Sequence, residues 1–259
     1  MINEMVNNAM DAVVEEDLTL EHTDTEDTIT ENDDTDYKDT GVKMDEIQKD
    51  LKMESDDEDD DEDDDLDDDE DDDDDEGHWI LRGLDSKENF YYRGAYCDAV
   101  RAIDFICSRE KVDCERIVSK GESQGGALCW ISAALDHRVK AIAPSVPFMS
   151  DFEDYGKIVS WPVEEIMEEA DRLGIPHKDI YGLLSYFDIK NFTSRVECPV
   201  LMAFGLQDPT CPPHTNFAGY NMVSGEKQWY CAPLCGHAMW QESEWEKLRE
   251  EFLMKYLQN

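Results

Sequence analysis

The sequence predicts an α/β fold: a mostly parallel sheet with flanking helices, set behind a long acidic segment. Three observations carry this reading. In the second part of the chain, short apolar runs alternate with stretches of helical spacing, the signature of strands joined by helical crossovers. The runs are apolar at successive positions, as in strands covered on both faces. The charge, finally, is concentrated at one end. Residues 1–76 hold 38 Asp+Glu and four Lys, a net of −34, and residues 77–259 hold 27 acids and 19 Lys+Arg, a net of −8, which together give the −42 of the whole chain.

The acidic segment 1–76 is expected to be disordered. It has few aromatics, and Asp, Glu, Thr and Asn bury too little apolar surface to offset chain entropy. From Asp56 to Glu76 every residue is acidic except Leu66, and like charges at that density repel and extend a chain. Such a run is read as a solvated tail that aids solubility. Bait for basic proteins or Ca²⁺ is the sharper alternative, but no EF-hand pattern is present. Phosphate repulsion excludes nucleic acid as a partner of the tail.

Residues 77–259 then read in order. Tyr91 to Cys107 is a helix with Tyr96, Val100, Ile103 and Ile106 at helical spacing. Glu115 to Lys120 is a short strand centred on Ile117–Ser119, and Ala127 to Leu135 is a buried helix, apolar on more than one face. Val139 to Val146 is the next strand. Trp161 to Leu173 is an acidic helix, with a shorter one near Asp179 to Tyr186. Pro199 to Gly205 is a strongly apolar strand, Pro212 to Met222 a helix, and Lys227 to Cys231 the last strand. Glu242 to Leu257 is a terminal amphipathic helix.

All eight cysteines lie in this second part, scattered rather than paired in a framework. Met1 to Met10 lacks the basic and apolar regions of a secretion signal, and no run approaches a membrane span. Reduced thiols and a cytoplasmic location are therefore expected, with no membrane partner. Cys231, Cys235 and His237 are close enough in sequence to suggest zinc. No second pair completes four ligands, so no metal is expected.

The chemistry is expected where such sheets gather it, at the carboxyl ends of the strands. Gly121-Glu-Ser-Gln-Gly-Gly126 joins a strand to a helix by a sharp turn, the context in which Ser123 becomes a nucleophile. Small neighbours allow the two backbones to crowd together, and the first helical N–H groups point at what the serine attacks. Asp208 follows Phe204-Gly205, and His237 follows the last strand. The order Ser, Asp, His is that of the α/β-hydrolases. Histidine is the kind of side chain whose unperturbed pKa lies near neutrality, so His237 could take and return the serine's proton, while Asp208 would fix the imidazole tautomer. His214 is a competing base beside the acid loop. His78, His137 and His177 have no evident partner.

Several segments resemble the acetyl xylan esterase / cephalosporin C deacetylase family: Leu81-Arg-Gly-Leu-Asp-Ser-Lys-Glu-Asn-Phe-Tyr-Tyr-Arg-Gly through Asp104, Ser123-Gln-Gly-Gly126, Leu184-Ser-Tyr-Phe-Asp-Ile-Lys-Asn191 and Pro199-Val-Leu-Met-Ala-Phe-Gly-Leu-Gln-Asp208. The resemblance runs from about Gly77 to the C-terminus and covers the C-terminal half of that family. It implies a partial α/β-hydrolase fold over 77–259. It implies a serine esterase that removes acetyl groups from sugars and similar small esters. The acyl-enzyme would form on Ser123, with Asp208 as acid and His237 as base. No cofactor is implied, the partner is a small acetylated substrate, and a cytoplasmic homo-oligomer is expected. The Gln124 N–H would be one oxyanion donor. The family's other donor sits on a Tyr loop that, with its early strands and Arg-Gly-Gln motif, has no counterpart in residues 1–76. Two residues depart from the family pattern. Glu122 stands where Gly is usual, an exposed, screened carboxylate in this reading. Ala238 stands where Glu usually follows the histidine. A thioesterase or peptidase on the same triad, and a weakly active remnant serving as an interaction module through its acidic tail, are the alternatives.

Overall fold

The computed structural model describes residues 78–258. The acidic segment 1–76, with its expected disorder, lies outside the described residues. A short 3₁₀ turn (His78–Leu81) leads into α1 (Tyr91–Cys107), then β1 (Ile117–Glu122), α2 (Gln124–Leu135) and β2 (Val139–Ser145). Four helices follow: α3 (Phe152–Ile158), α4 (Val163–Leu173), α5 (His177–Ser185) and α6 (Lys190–Thr193). The chain then returns to the sheet as β3 (Val200–Gly205), α7 (Pro213–Met222) and β4 (Lys227–Ala232), and ends with a 3₁₀ turn (Met239–Gln241) and α8 (Ser243–Leu257).

The four strands are all parallel, in the order β1-β2-β3-β4. Glu122 is level with Ser145, Ser145 with Ala203, and Gly205 with Ala232, so the strands finish within a few residues of one another. Only the two inner strands match the expectation of burial on both faces. Every residue of β3 is buried, and in β2 only Lys140 is not. The outer strands β1 and β4 are partly exposed, as edge positions dictate.

α2 packs against β1 and β2 on one face of the sheet, and α8 crosses β1, β2 and β3. The helices are anchored by Trp130 and Trp245, each at most 1% exposed. Burying an indole of this size contributes roughly 4–6 kcal/mol before entropy is counted. Trp245 also donates its indole N–H to the Ser145 hydroxyl at 3.0 Å, so its one polar atom is satisfied. α1 lies on α2 and buries Tyr92, Tyr96, Cys97 and Ile103. Its expected apolar stripe is narrower than the spacing suggested, because Ile106 remains 38% exposed.

Two helices, α3 and α6, and the two 3₁₀ turns were not predicted. The N-terminus of α3 is capped from far along the chain. Asp188 accepts the Asp151 and Phe152 N–H groups, each at 2.8 Å, across 37 and 36 residues. α6 has only four residues. The other elements fall within three residues of their predicted limits.

Candidate active site

β1 delivers Ser123 to the sheet's carboxyl edge. Its backbone is strained, with φ 56° and ψ −118°, a region that ordinary side chains avoid and that clusters at functional sites. The strain is held by bonds on both sides of the residue. Ser123 N–H donates to the Ser145 carbonyl at 3.0 Å, and its own carbonyl accepts from Ala127 and Phe148, each at 3.0 Å. Two glycines make the turn possible. A Cβ on Gly121 would sit 2.1 Å from the Gly125 carbonyl oxygen, and one on Gly126 would sit 2.7 Å from the Ser145 oxygen. Gly125, the second glycine of the sequence motif, has open space where its side chain would be. The motif thus points to the wrong glycine: strand–helix contact requires Gly126.

Helix α2 begins at Gln124, three residues before its predicted start. Its first intrahelical bond is made by Ala127 N–H, so the Gln124, Gly125 and Gly126 N–H groups have no acceptor within the helix. They lie at the N-terminus of α2, directly after Ser123, and a helix N-terminus favours negative charge. The Gln124 side chain donates to the Tyr92 hydroxyl at 3.4 Å. That contact connects the Tyr91-Tyr92-Arg93-Gly94 segment to the serine turn.

Asp208 ends three residues past β3. Its side chain is fully buried (0% exposed), and all its bonds are specific. Oδ1 accepts the Thr210 and Cys211 N–H groups at 2.8 and 2.9 Å. Oδ2 lies 2.9 Å from His237 Nδ1, with the imidazole 25% exposed. With Oδ1 occupied twice, Oδ2 is left to accept Nδ1–H. Nε2 is then the basic nitrogen.

Cys211 packs against both sides of this arrangement. Burial pushes its thiol well up, and so does the Asp208 charge; the Tyr155 and Ser123 hydroxyls, within hydrogen-bonding reach, oppose them. Such a thiol stays protonated and inert. Tyr155 in turn donates to the Thr210 carbonyl. The loop after β2 is strained as well. Val146, Met149 and Asp151 have φ of 38°, 64° and 59°, and Phe148 from this loop donates its N–H to Ser123. Neither Cys211 nor this loop carries a recognisable sequence signal.

Glu122 is not the exposed carboxylate that was expected. It is half-buried, and Oε1 accepts the Met239 N–H at 3.1 Å. Burial raises its pKa, opposed by that N–H and by the charges of His237 and Arg249. The other candidates disperse. His214 is not beside Asp208; its Nε2 lies 3.1 Å from Asp154 and the ring is 59% exposed. His137 faces Glu197, and His177 faces Asp171. His78 opens the first 3₁₀ turn. Cys231, Cys235 and His237 do not gather. Among the described residues the one group of three potential metal ligands is Asp151, Asp154 and His214. Its carboxylates already face Lys190 and Lys157 at 2.7 and 2.5 Å. All eight cysteines are free.

A parallel sheet between helices, with a strained serine after one strand and an Asp–His pair after two others, defines an α/β-hydrolase. The chain belongs to the acetyl xylan esterase family (AXE1), whose model matches residues 42–256. The match therefore begins inside the acidic segment, upstream of the boundary read at residue 77. An acetyl esterase of Xylanibacter ruminicola, Axe7A, is 32% identical over 171 residues, which is 65% of this chain and 37% of that protein. The solved acetyl xylan esterase from Paenibacillus sp. R4 is 39% identical with a TM-score of 0.63, over 69% of this chain and 57% of its own. The corresponding enzyme from Thermoanaerobacterium sp. JW/SL YS485 is 30% identical with a TM-score of 0.61, over the same shares. The Pyrococcus horikoshii acylaminoacyl peptidase is 15% identical with a TM-score of 0.53 over 63% of this chain and 28% of its own, a likeness of fold alone. The chain thus spans little more than a third of the curated relative's length and 57% of each solved acetyl xylan esterase.

Proposed function

We propose that this chain is a serine esterase that hydrolyses acetyl esters of sugars or similar small substrates. The observation that carries the reading is the 2.9 Å Asp208–His237 contact, on the same sheet edge as the strained Ser123. In this mechanism Ser123 Oγ attacks the acetyl carbonyl carbon while His237 Nε2 takes its proton. The tetrahedral oxyanion is met by the Gln124 N–H. Collapse breaks the bond to the sugar oxygen, which leaves with the proton returned by His237. Water, activated by the same histidine, then releases acetate from Ser123.

A second donor is needed beside the Gln124 N–H, and losing one donor of such a pair typically costs roughly 10²–10³ in rate. The test is turnover of p-nitrophenyl acetate and of acetylated xylo-oligosaccharide by the full chain and by Ser123→Ala. Slow hydrolysis of both esters that Ser123→Ala abolishes is the expected result. Turnover that survives the substitution, or its absence from the native chain, would defeat the reading. A preference for long acyl chains or peptides over acetyl would favour a thioesterase or peptidase instead.

A further inference from the structure

Glu122 is the last residue of β1, immediately before Ser123. It pairs in register with Ser145, and paired residues of parallel strands share a face. Ser145 accepts the Trp245 N–H of α8 on that face. The Glu122 side chain therefore faces α8, opposite Gly121, which abuts α2. Its carboxylate reaches the loop after β4 across 117 residues of sequence. The Met239 N–H that it accepts is shared, because the same group also donates to the His237 carbonyl at 3.0 Å. One backbone N–H thus connects Glu122 to the peptide on which the candidate base is mounted.

The titratable and charged groups facing Glu122 come from two elements. His237 and the Cys235 thiol face it from the β4 loop, and Arg249 and Glu246 face it from α8. Arg249 Nη2 bonds Glu246, but Arg249 Nε and Glu246 Oε1 are buried with no hydrogen-bond partner among the described residues. The α8 side is therefore a half-satisfied polar layer in which a fixed carboxylate is weakly screened.

We propose that Glu122 is a positioning residue: its ionised carboxylate fixes the Met239 N–H and so the His237 backbone, and sets a second negative charge beside the imidazolium formed when Ser123 is deprotonated. The proposal rests on the esterase reading above. Asp208 acts on the ring through Nδ1, whereas Glu122 acts through the backbone and its field.

The test uses the full 259-residue chain as native protein, Glu122→Gln, Glu122→Asp, Glu122→Ala and Ser123→Ala. A fluorophosphonate labels the serine, and its rate is followed against pH. Glu122→Gln keeps an acceptor oxygen and loses the charge. Its plateau rate should fall about tenfold, part of what a hydrogen bond to a charged group contributes, and its acid limb should move down by roughly half a pH unit or more. Glu122→Ala should lose more, and Glu122→Asp should recover part. A purely structural role would leave the acid limb in place. Labelling profiles of Glu122→Gln and Glu122→Ala that superimpose on the native one would overturn the proposal. A second readout is independent of reactivity. The Met239 amide shift should show a titration step in native protein that is lost in Glu122→Gln, apart from any step that tracks the His237 ring signals. If native protein is not labelled at Ser123, the esterase reading fails, and the Met239 titration still decides whether Glu122 holds the loop; a Met239 amide that does not titrate would overturn it.

Discussion

Asp208→Asn separates the chemistry of this site from its architecture. In the native loop, Oδ1 accepts two backbone N–H groups at 2.8 and 2.9 Å, and Oδ2 faces His237 Nδ1 at 2.9 Å. An asparagine keeps one acceptor oxygen and gains an NH₂. The two backbone donors dictate which way the amide lies, because an NH₂ facing Thr210 and Cys211 would set donor against donor in a buried place. The oxygen therefore stays at Oδ1, and the NH₂ takes the position facing His237. Nδ1 becomes an acceptor, the ring proton moves to Nε2, and no lone pair is left to take the serine's proton. A wrong tautomer of this kind costs about 10⁴ in rate, or about 5.5 kcal/mol of barrier. Since both loop bonds survive, unfolding should shift by no more than about 1 kcal/mol. Asp208→Ala is the contrast: it also strands the buried Cys211 N–H, at about 1–3 kcal/mol of stability. The assay is fluorophosphonate labelling beside urea unfolding for all three proteins. An Asp208→Asn variant that folds normally and labels within tenfold of the native rate would show that the Asp208 carboxylate does not set the His237 tautomer.

Other outcomes follow from the same contacts. Gly126→Ala places a methyl 2.7 Å from the Ser145 oxygen and should destabilise by about 1–3 kcal/mol, while Gly125→Ala, with open space at its Cβ, should be neutral or slightly stabilising. Equal urea midpoints for the two would contradict this. Burial pushes Asp188 up to about 6. The native state then holds its proton more tightly than the unfolded chain between about pH 4 and 6. Stability from this group is full below about pH 4 and is lost as pH rises through about 6, a change of about 3 kcal/mol. That slope should vanish in Asp188→Asn, and identical slopes in urea midpoints against pH would exclude the assignment. Among the described residues the outer edge of β1 has no strand partner, so the chain should self-associate or bind a complementary segment. Sedimentation of a compact monomer at low and high salt would argue against it.

What was legible in the sequence was local. α1 was read at its observed limits because its spacing and breakers lie within its own 17 residues. The inner strands were legible because β3 is apolar throughout and β2 is apolar apart from Lys140 and Ser145. The triad candidates followed, since each stands within five residues of a strand end. What was missed depends on distant partners. α3 has only seven residues, and although Asp151, Glu153 and Asp154 are local start signals, its N-terminus is capped by Asp188 from beyond two intervening helices. Glu122 reads as a solvated carboxylate until the fold brings Met239 to it. Gln124 to Gly126 read as a turn because glycines disfavour helix, yet close contact with Ser145 demands Gly126 within the helix. His214 could be ranked below His237 in sequence, and the fold places it at Asp154 while His237 faces Asp208.

If Ser123 is the nucleophile that Asp208 and His237 activate, it must carry the acyl group. Rapid-quench mass spectrometry of the full chain mixed with an acetyl ester addresses this without dependence on turnover. A single added acetyl group is expected on the peptide that carries Ser123, absent from Ser123→Ala and strongly delayed in Asp208→Asn. Acetylation at another residue, or a Ser123→Ala protein that still acquires the group at the native rate, would contradict it.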